Sequence, residues 1–414
     1  MFIWGNGTYQ AQPGRPDPFG NFTPKRITHA VYRSAPGKVS SSFPIFRDVV
    51  MNKEFGFGLT SEGKVFAFEN PPLPSAEPSD PEYFFEGPGG KVARHNVLMN
   101  LEDLKFAGSA AQVSLTREFL WVLDSKGDLH QLRLSRGDKP LGTWRKIPTI
   151  SGVKHLAAGE DHLLLLNQKG ELLAMGDNTL GQCGLGSEER VPNPKKIPAL
   201  EGRKVMRVWA GARHSFAETA EGDLLGWGSN SCLQLAHEAQ FSTAVDPLTL
   251  ISSPRTFRAY LEEADCDLQD VILGNDFSLF SCRAKSSGAR QVFGTGTASR
   301  GQIPTGSPRH VLNFQKIEPL SDFTHARPGE REKDVEHRQI SCGYDHCVSL
   351  TSLGVCLIWG DNEFGQLANK RRSFATSPLI VSAFKEADVQ VIKATGNNCF
   401  AVVKEKKKET QDKK

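Results

Sequence analysis

The feature that most constrains this chain is a phrase repeated along its length. It reads Gly-x-x-His, then an apolar run, a turn, and a strand ending in Trp-Gly-x-Asn. The fullest copy starts at Gly343-Tyr344-Asp345-His346. It continues through Leu357-Ile358-Trp359-Gly360-Asp361-Asn362 to Gly365-Gln366-Leu367. A period above about forty residues, built from short strands, marks an array of β-units, because one such unit cannot bury its apolar face alone.

Two further strong copies begin at Gly159-Glu160-Asp161-His162 and Gly211-Ala212-Arg213-His214. Weaker copies keep the frame and lose letters: Asn52-Lys53-Glu54-Phe55, Thr116-Arg117-Glu118-Phe119 and Gly274-Asn275-Asp276-Phe277. The ends complete each other. Phe2-Ile3-Trp4-Gly5-Asn6 is a final strand with no opening half, and Val391 to Val403 is an opening half with no final strand. Joining them makes a seventh unit and shelters two sheet edges. Turns such as Gln168-Lys169-Gly170-Glu171 carry hairpin chemistry. The expectation is an all-β, seven-bladed β-propeller closed by the N- and C-terminal strands in one blade. It is one domain over residues 1–403, followed by a disordered Lys-rich tail over 404–414.

Charge supports that division. The formal net charge is +3, and residues 404–414 alone hold six Lys against three acids. The body is therefore balanced, which argues against nucleic acid as the partner of its surface as a whole. The eight Cys include no Cys-x-x-Cys pair, and Cys342 and Cys399 read as buried thiols of a reducing compartment. No apolar stretch is long enough to span a membrane, and no targeting peptide is read at the start. Four stretches exceed what a blade needs: 8–47, 69–95, 236–268 with a short helix around 257–264, and 306–337. Long loops on a rigid ring are places for partner contacts, or simply solvated connections.

Chemistry-bearing motifs fail. Gly294-Thr295-Gly296 sits in a blade strand with no helix after it, so it is not a dinucleotide loop. There is no Walker sequence, zinc spacing or nucleophile elbow. The reading is therefore of no enzyme, no catalytic residue, no metal, no cofactor and no small-molecule substrate. His162, His214 and His346 recur too regularly for catalysis and read as packing hydrogen bonds. Lys370-Arg371-Arg372 forms a compact basic loop, either solvated or touching an acidic or phosphate-bearing partner.

The phrase resembles the regulator of chromosome condensation repeat over nearly the whole chain. The strings 174–184 and 225–236 look like the mitochondrial branch of that family, in which a Gly-Gln is likewise replaced by Leu-Gln, here Leu233-Gln234. The resemblance implies a non-enzymatic protein-interaction scaffold, a mitochondrial assembly factor for a respiratory complex or the mitoribosome. The alternative is a guanine-nucleotide exchange factor for a small or dynamin-like GTPase, in cytosol or nucleus. Light sensing, known in a plant relative with Gly-Trp-Arg-His-Thr, is not implied, since Ala212 stands in place of the Trp.

That resemblance also puts the two middle residues of each Gly-x-x-His near the central channel. Just before the His position stand Glu54, Glu118, Asp161, Arg213, Asp276, Asp345 and Asn398. Circular symmetry would gather the acids around one mouth and favour a basic partner, with Arg213 and Tyr344 as anchors. The same acids could instead accept hydrogen bonds from their own or the next blade. Both readings stand at this point.

Overall fold

Each apolar run behind a Gly-x-x-His phrase becomes a strand buried on both faces. His162–Asn167 and His346–Thr351 are buried at every position. Burying each leucine of the first run stabilises by roughly 1.5–3 kcal/mol. The hairpin that follows is closed by Gly170 at φ +85°, a conformation that costs a residue with a Cβ. The Asn167 side-chain oxygen accepts from the backbone N–H groups of Lys169 and Glu171, both at 2.9 Å.

The chain is seen here as a computed structural model. It describes residues 2–5, 25–26, 30–32, 39–40, 46–52, 55–69, 84–86, 92–94, 97–100, 106, 108–134, 143–148, 152–186, 189–235, 260–321, 336–369, 371–385 and 387–404.

Among the described residues six sheets have the blade form, three or four antiparallel strands, in sequence order outward from the axis in five of them. Blade I is Ala110–Leu115, Phe119–Asp124, Leu129–Arg133 and Trp144–Ile147. Blade II is Val153–Ala158, His162–Asn167, Leu172–Asp177 and Arg190–Lys196. Blade III has Val205–Ala210, His214–Thr219 and Leu224–Gly228. Blade IV is Cys266–Leu273, Phe277–Ala284, Arg290–Gly296 and Val311–Lys316. Blade V is His337–Cys342, His346–Thr351, Cys356–Gly360 and Ala375–Ile380. Blade VI joins the two ends of the chain. Its order is Asp388–Thr395, Asn398–Lys404, Phe2–Gly5, Lys25–Arg26.

The expected closure is present: Phe2 pairs with Ala401, Ile3 with Phe400, Trp4 with Cys399 and Gly5 with Asn398. The expected count of seven blades is corrected to six. The residues between blades VI and I build instead a six-stranded mixed sheet, which includes a parallel pairing of Val97–Asn100 with Ala30–Tyr32. The physical reason lies in the insert at 8–47, which adds Ala30–Tyr32 and Val39–Ser40 beyond Val97–Asn100 in place of a simple meander, while the insert at 69–95 pairs Phe84–Glu86 with Val92–Arg94 in a small sheet of its own. This sheet stands in the ring all the same. Met51 N and O both bond Thr395 Oγ1 of blade VI, at 3.2 and 2.8 Å. On its other side Arg47 donates to the carbonyl of Ala111 in blade I.

The core lies between sheets. Trp227 and Trp359 are fully enclosed. Their indole N–H groups donate to the carbonyls of Gln182 and Gln302 in the preceding blade, at 2.9 and 3.0 Å. Outermost strands are blunted by proline: Pro192 and Pro194 in blade II, Pro378 in blade V. A proline cannot donate to a ladder, so these edges resist pairing with another chain.

Two smaller expectations resolve here. Residues 260–263 are helical, within the helix expected around 257–264. Cys342 is not a free thiol. It is bonded to Cys347, directly opposite it in blade V. Alternation along adjacent strands brings such a pair face to face, which the repeat pattern alone did not signal. Cys399 is a buried free thiol as expected.

Candidate functional site

The Gly-x-x-His loops converge on one end of the axis, and their chemistry explains the phrase. The His ring folds back over the glycine three residues earlier. A Cβ at Gly159, Gly211 or Gly343 would strike the ring of His162, His214 or His346, and also the next loop's carbonyl. Each His then reaches forward one blade. His162 Nε2 lies 2.9 Å from Ser215 Oγ, His214 Nε2 3.0 Å from Ser278 Oγ, and His346 Nε2 3.1 Å from Cys399 Sγ. Ser215 and Ser278 donate back to the carbonyls of Gln182 and Gln234, at 3.0 and 2.7 Å. These histidines are 0–1% exposed. Burial, joined at His214 by His162 and Arg213, pushes them down to a pKa of about 4 for His162, about 3 for His214 and about 4 for His346. They are neutral, enclosed fasteners with no route to a substrate.

A belt of backbone bonds ties the loops together. Arg117 N donates to Glu160 O, Glu160 N to Ala212 O, Ala212 N to Gly274 O, Asn275 N to Tyr344 O and Tyr344 N to Gly396 O, all between 2.8 and 3.1 Å. The pairing of Asn398 with Gly5 matches that of His162 with Gly176, so Asn398 itself takes the His position. The residue before it in the ring is Asn397, which corrects the expected register by one. Asn398 Nδ2 donates to Asn52 O at 3.3 Å, carrying the belt on to the mixed sheet.

The belt sets the described loops side by side, and bonds between neighbouring loops tie most of their acids down. Asp161 pairs with Arg117 at 2.9 Å, and Arg117 also holds Glu160 at 2.7 Å. Asp276 pairs with Arg213 at 3.2 Å and accepts from Gln234 Nε2 at 3.4 Å. Asp345 accepts from Gln302 Nε2 at 3.1 Å. Each of these bonds crosses between blades. Glu118 is exposed. Glu54 and Lys370 lie outside the described residues. Arg371 and Arg372 are exposed on the outer loop of blade V, away from the ring.

The field at the mouth is acidic. Among the described loop residues stand Glu118, Glu160, Asp161, Asp276 and Asp345, against Arg117 and Arg213. Burial, with neighbouring carboxylates adding, raises the pKa of Asp161 above the ordinary range, although Arg117 opposes the shift. Burial also raises Asp345, with Asp361 and Asp276 adding and Gln302 opposing. Tyr344 crosses toward the far side of the ring, where Glu160, Arg117 and Asp161 act on it. Burial first, then Glu160, pushes its hydroxyl up to about 12. The Cys342–Cys347 bond clasps the base of that loop. The loops border an axial cavity of about 280 Å³, lined in part by Gln112, Ser114, Ser341 and Lys393. Among the described residues no cluster of three or more His, Cys, Asp or Glu could hold a metal ion, and no helix is long and apolar enough to cross a membrane.

The glutamine of each Gly-Gln was missed as a site residue. Gln234 and Gln302 point their amides at the next blade's Asp276 and Asp345. Where that neighbour is Arg213 or an Asn, Gln182 and Gln366 turn to Asp177 and Asp361 at 2.8 and 3.1 Å. The recurring distance from Gln to the next acid was the available signal.

The family model described as "Regulator of chromosome condensation (RCC1) repeat" matches residues 169–217, and a second model of that repeat matches 153–182 and 338–366. The chain carries regulator of chromosome condensation repeats at these residues. Among relatives of this repeat family, the chain is 30% identical over 261 residues to the "Ultraviolet-B receptor UVR8" of Arabidopsis thaliana. That alignment covers 60% of this chain and 51% of the receptor, so the chain spans about half the length of that relative. Among solved structures, human WBSCR16 superposes with a TM-score of 0.67 at 19% identity, covering 98% of this chain and 99% of that one. Prp20p from Saccharomyces cerevisiae, described with its binding properties to Gsp1p and histones, superposes with a TM-score of 0.64. Its identity is 16%, over 99% of this chain and 92% of that one. At such identities the structures speak for the fold alone.

Proposed function

We propose that this protein is a non-enzymatic docking propeller of the repeat family, and that its acidic loop face receives a basic segment of a protein partner. One observation carries the reading: carboxylates outnumber guanidinium groups at the mouth, and Asp161 and Asp345 are held among other acids, with pKa values raised by burial. A cationic segment would supply the charge that this arrangement lacks. Rim charges of this kind steer association and contribute about 0.2–1 kcal/mol each. Their existing bonds to Arg117, Arg213 and Gln302 hold the carboxylates in place before binding.

The strings 174–184 and 225–236 support a mitochondrial setting and an assembly intermediate as the partner. Fractionation that finds the native protein only in cytosol or nucleus would contradict that part. A second reading, exchange on a GTPase, is supported by the Gsp1p named with Prp20p. Accelerated nucleotide release from a purified GTPase would favour it. The docking reading itself is tested by crosslinking in cell extract, followed by peptide mapping. Crosslinks should join the loop face to Lys- or Arg-rich segments and fade when Asp161 and Asp345 are both changed to Asn. Crosslinks confined to the outer strands, unaffected by that change, would reject it.

A further inference from the structure

The outer loop of blade V carries a feature that the acidic mouth does not use. Phe364 and Phe374 are 39% and 45% exposed, whereas most large aromatic side chains among the described residues are enclosed. Both lie on the segment between Gly360 and Ala375, as do the exposed Arg371 and Arg372. This segment is tightly held. The fully buried Asn362 donates from Nδ2 to Asn369 Oδ1 at 3.0 Å, to Arg371 O at 2.6 Å and to Ser373 O at 3.3 Å. Its Oδ1 accepts from Leu367 N at 2.8 Å. Gln366 Oε1 fixes Phe364 N at 2.8 Å. One buried amide thus binds the turn bearing Phe364 to the stretch bearing Arg371 and Phe374. Gly306 N of blade IV donates to Thr376 O at 2.9 Å and steadies the strand that follows.

Exposed aromatics beside arginines on a preorganised loop have the composition of an interface anchor. We infer that this corner of blade V is a second docking surface, and that it takes an acidic peptide segment carrying an apolar side chain. The arginines meet its carboxylates, and the two phenylalanines cover the apolar group. A nucleic acid fits less well. The same end of the ring carries the acidic mouth, which repels a long phosphate backbone, and Glu363 lies beside Phe364. A short acidic peptide can occupy the corner alone.

The test uses the whole protein and a fluorescein-labelled peptide of Glu and Asp residues around a central Leu-Leu pair, read by anisotropy. The unmodified protein should bind saturably. Arg371→Glu with Arg372→Glu, and separately Phe364→Ala with Phe374→Ala, should each weaken binding about tenfold. These positions are exposed, so the melting temperature should hold. Asp161→Asn with Asp345→Asn should leave the acidic peptide bound, which separates this surface from the mouth. Absence of saturable binding, unchanged affinity in both corner variants, or tighter binding of a uridine-rich oligonucleotide than of the peptide would overturn the inference.

Discussion

His162 Nε2 and Ser215 Oγ, 2.9 Å apart, join blade II to blade III, and Ser215 returns the bond to Gln182 O at 3.0 Å. Removing the hydroxyl leaves a buried ring nitrogen without its partner, while Gln182 O keeps the indole N–H of Trp227; an unpaired buried group of this kind costs about 1–3 kcal/mol. Ser215→Ala is expected to lower unfolding free energy by that amount in a urea titration, and Ser278→Ala by a similar amount. A change near zero in both would show that the relay adds no stability.

Acid should weaken the same fasteners. The ordinary pKa of 6.5 holds in the unfolded chain, while burial holds His162, His214 and His346 at about 4, about 3 and about 4 in the fold. Between pH 6.5 and about 4 the unfolded chain therefore binds more protons, so stability rises with pH across that window. It is full above 6.5 and lost progressively as pH falls. The raised pKa values of Asp161 and Asp345 act with the opposite sign, gaining stability as pH falls. Urea titrations at pH 5 and pH 7 check the balance. Replacing His214 or His346 with Asn should flatten the loss, each by a similar amount over this range.

Ring closure rests on four register pairs, from Phe2–Ala401 to Gly5–Asn398. Deleting residues 1–5 uncovers the edge of Asn398–Lys404. The expected result is a lower, broader thermal transition in which blade VI and the mixed sheet exchange amide hydrogens ahead of blades II to V. A single sharp transition at the original temperature would contradict closure through the ends.

Blade V offers a thiol test. Differential alkylation of native protein should label Cys232, the half-buried free thiol, first. Cys342 and Cys347 should react only after reduction. Cys183, Cys282, Cys356 and Cys399 should react only after unfolding, since burial raises their pKa and leaves little thiolate. Labelling of Cys342 without reductant would show an open pair.

Much of this was legible in the sequence, because the repeat is written by tertiary contacts. Gly159 must be Gly for the His162 ring to lie on it, and Trp227 must be Trp to reach Gln182 O, so blades II, III and V announce themselves. Where Phe55 and Phe119 replace the His, the strand survives and the signature does not. The mixed sheet was not legible, because inserted strands such as Ala30–Tyr32 follow no repeat. Acids at a fixed offset told of a ring. Their partners Arg117 and Gln302 lie 44 and 43 residues away in sequence and are joined to them only by the fold. Phe364 and Phe374 read as ordinary apolar letters until their exposure was seen.

Docking of a basic segment at the acidic mouth is a kinetic property as well as an affinity. Its most direct measurement is the association rate of a fluorescent Lys/Arg-rich peptide with the whole protein at several salt concentrations. Wild type is compared with the variant carrying Asp161→Asn and Asp345→Asn. The variant should associate severalfold more slowly and with a shallower salt dependence, with its melting temperature within a few degrees of wild type. An unchanged rate and salt slope, together with a large fall in melting temperature, would mean that these carboxylates only tie the blades together, and would contradict docking at the mouth.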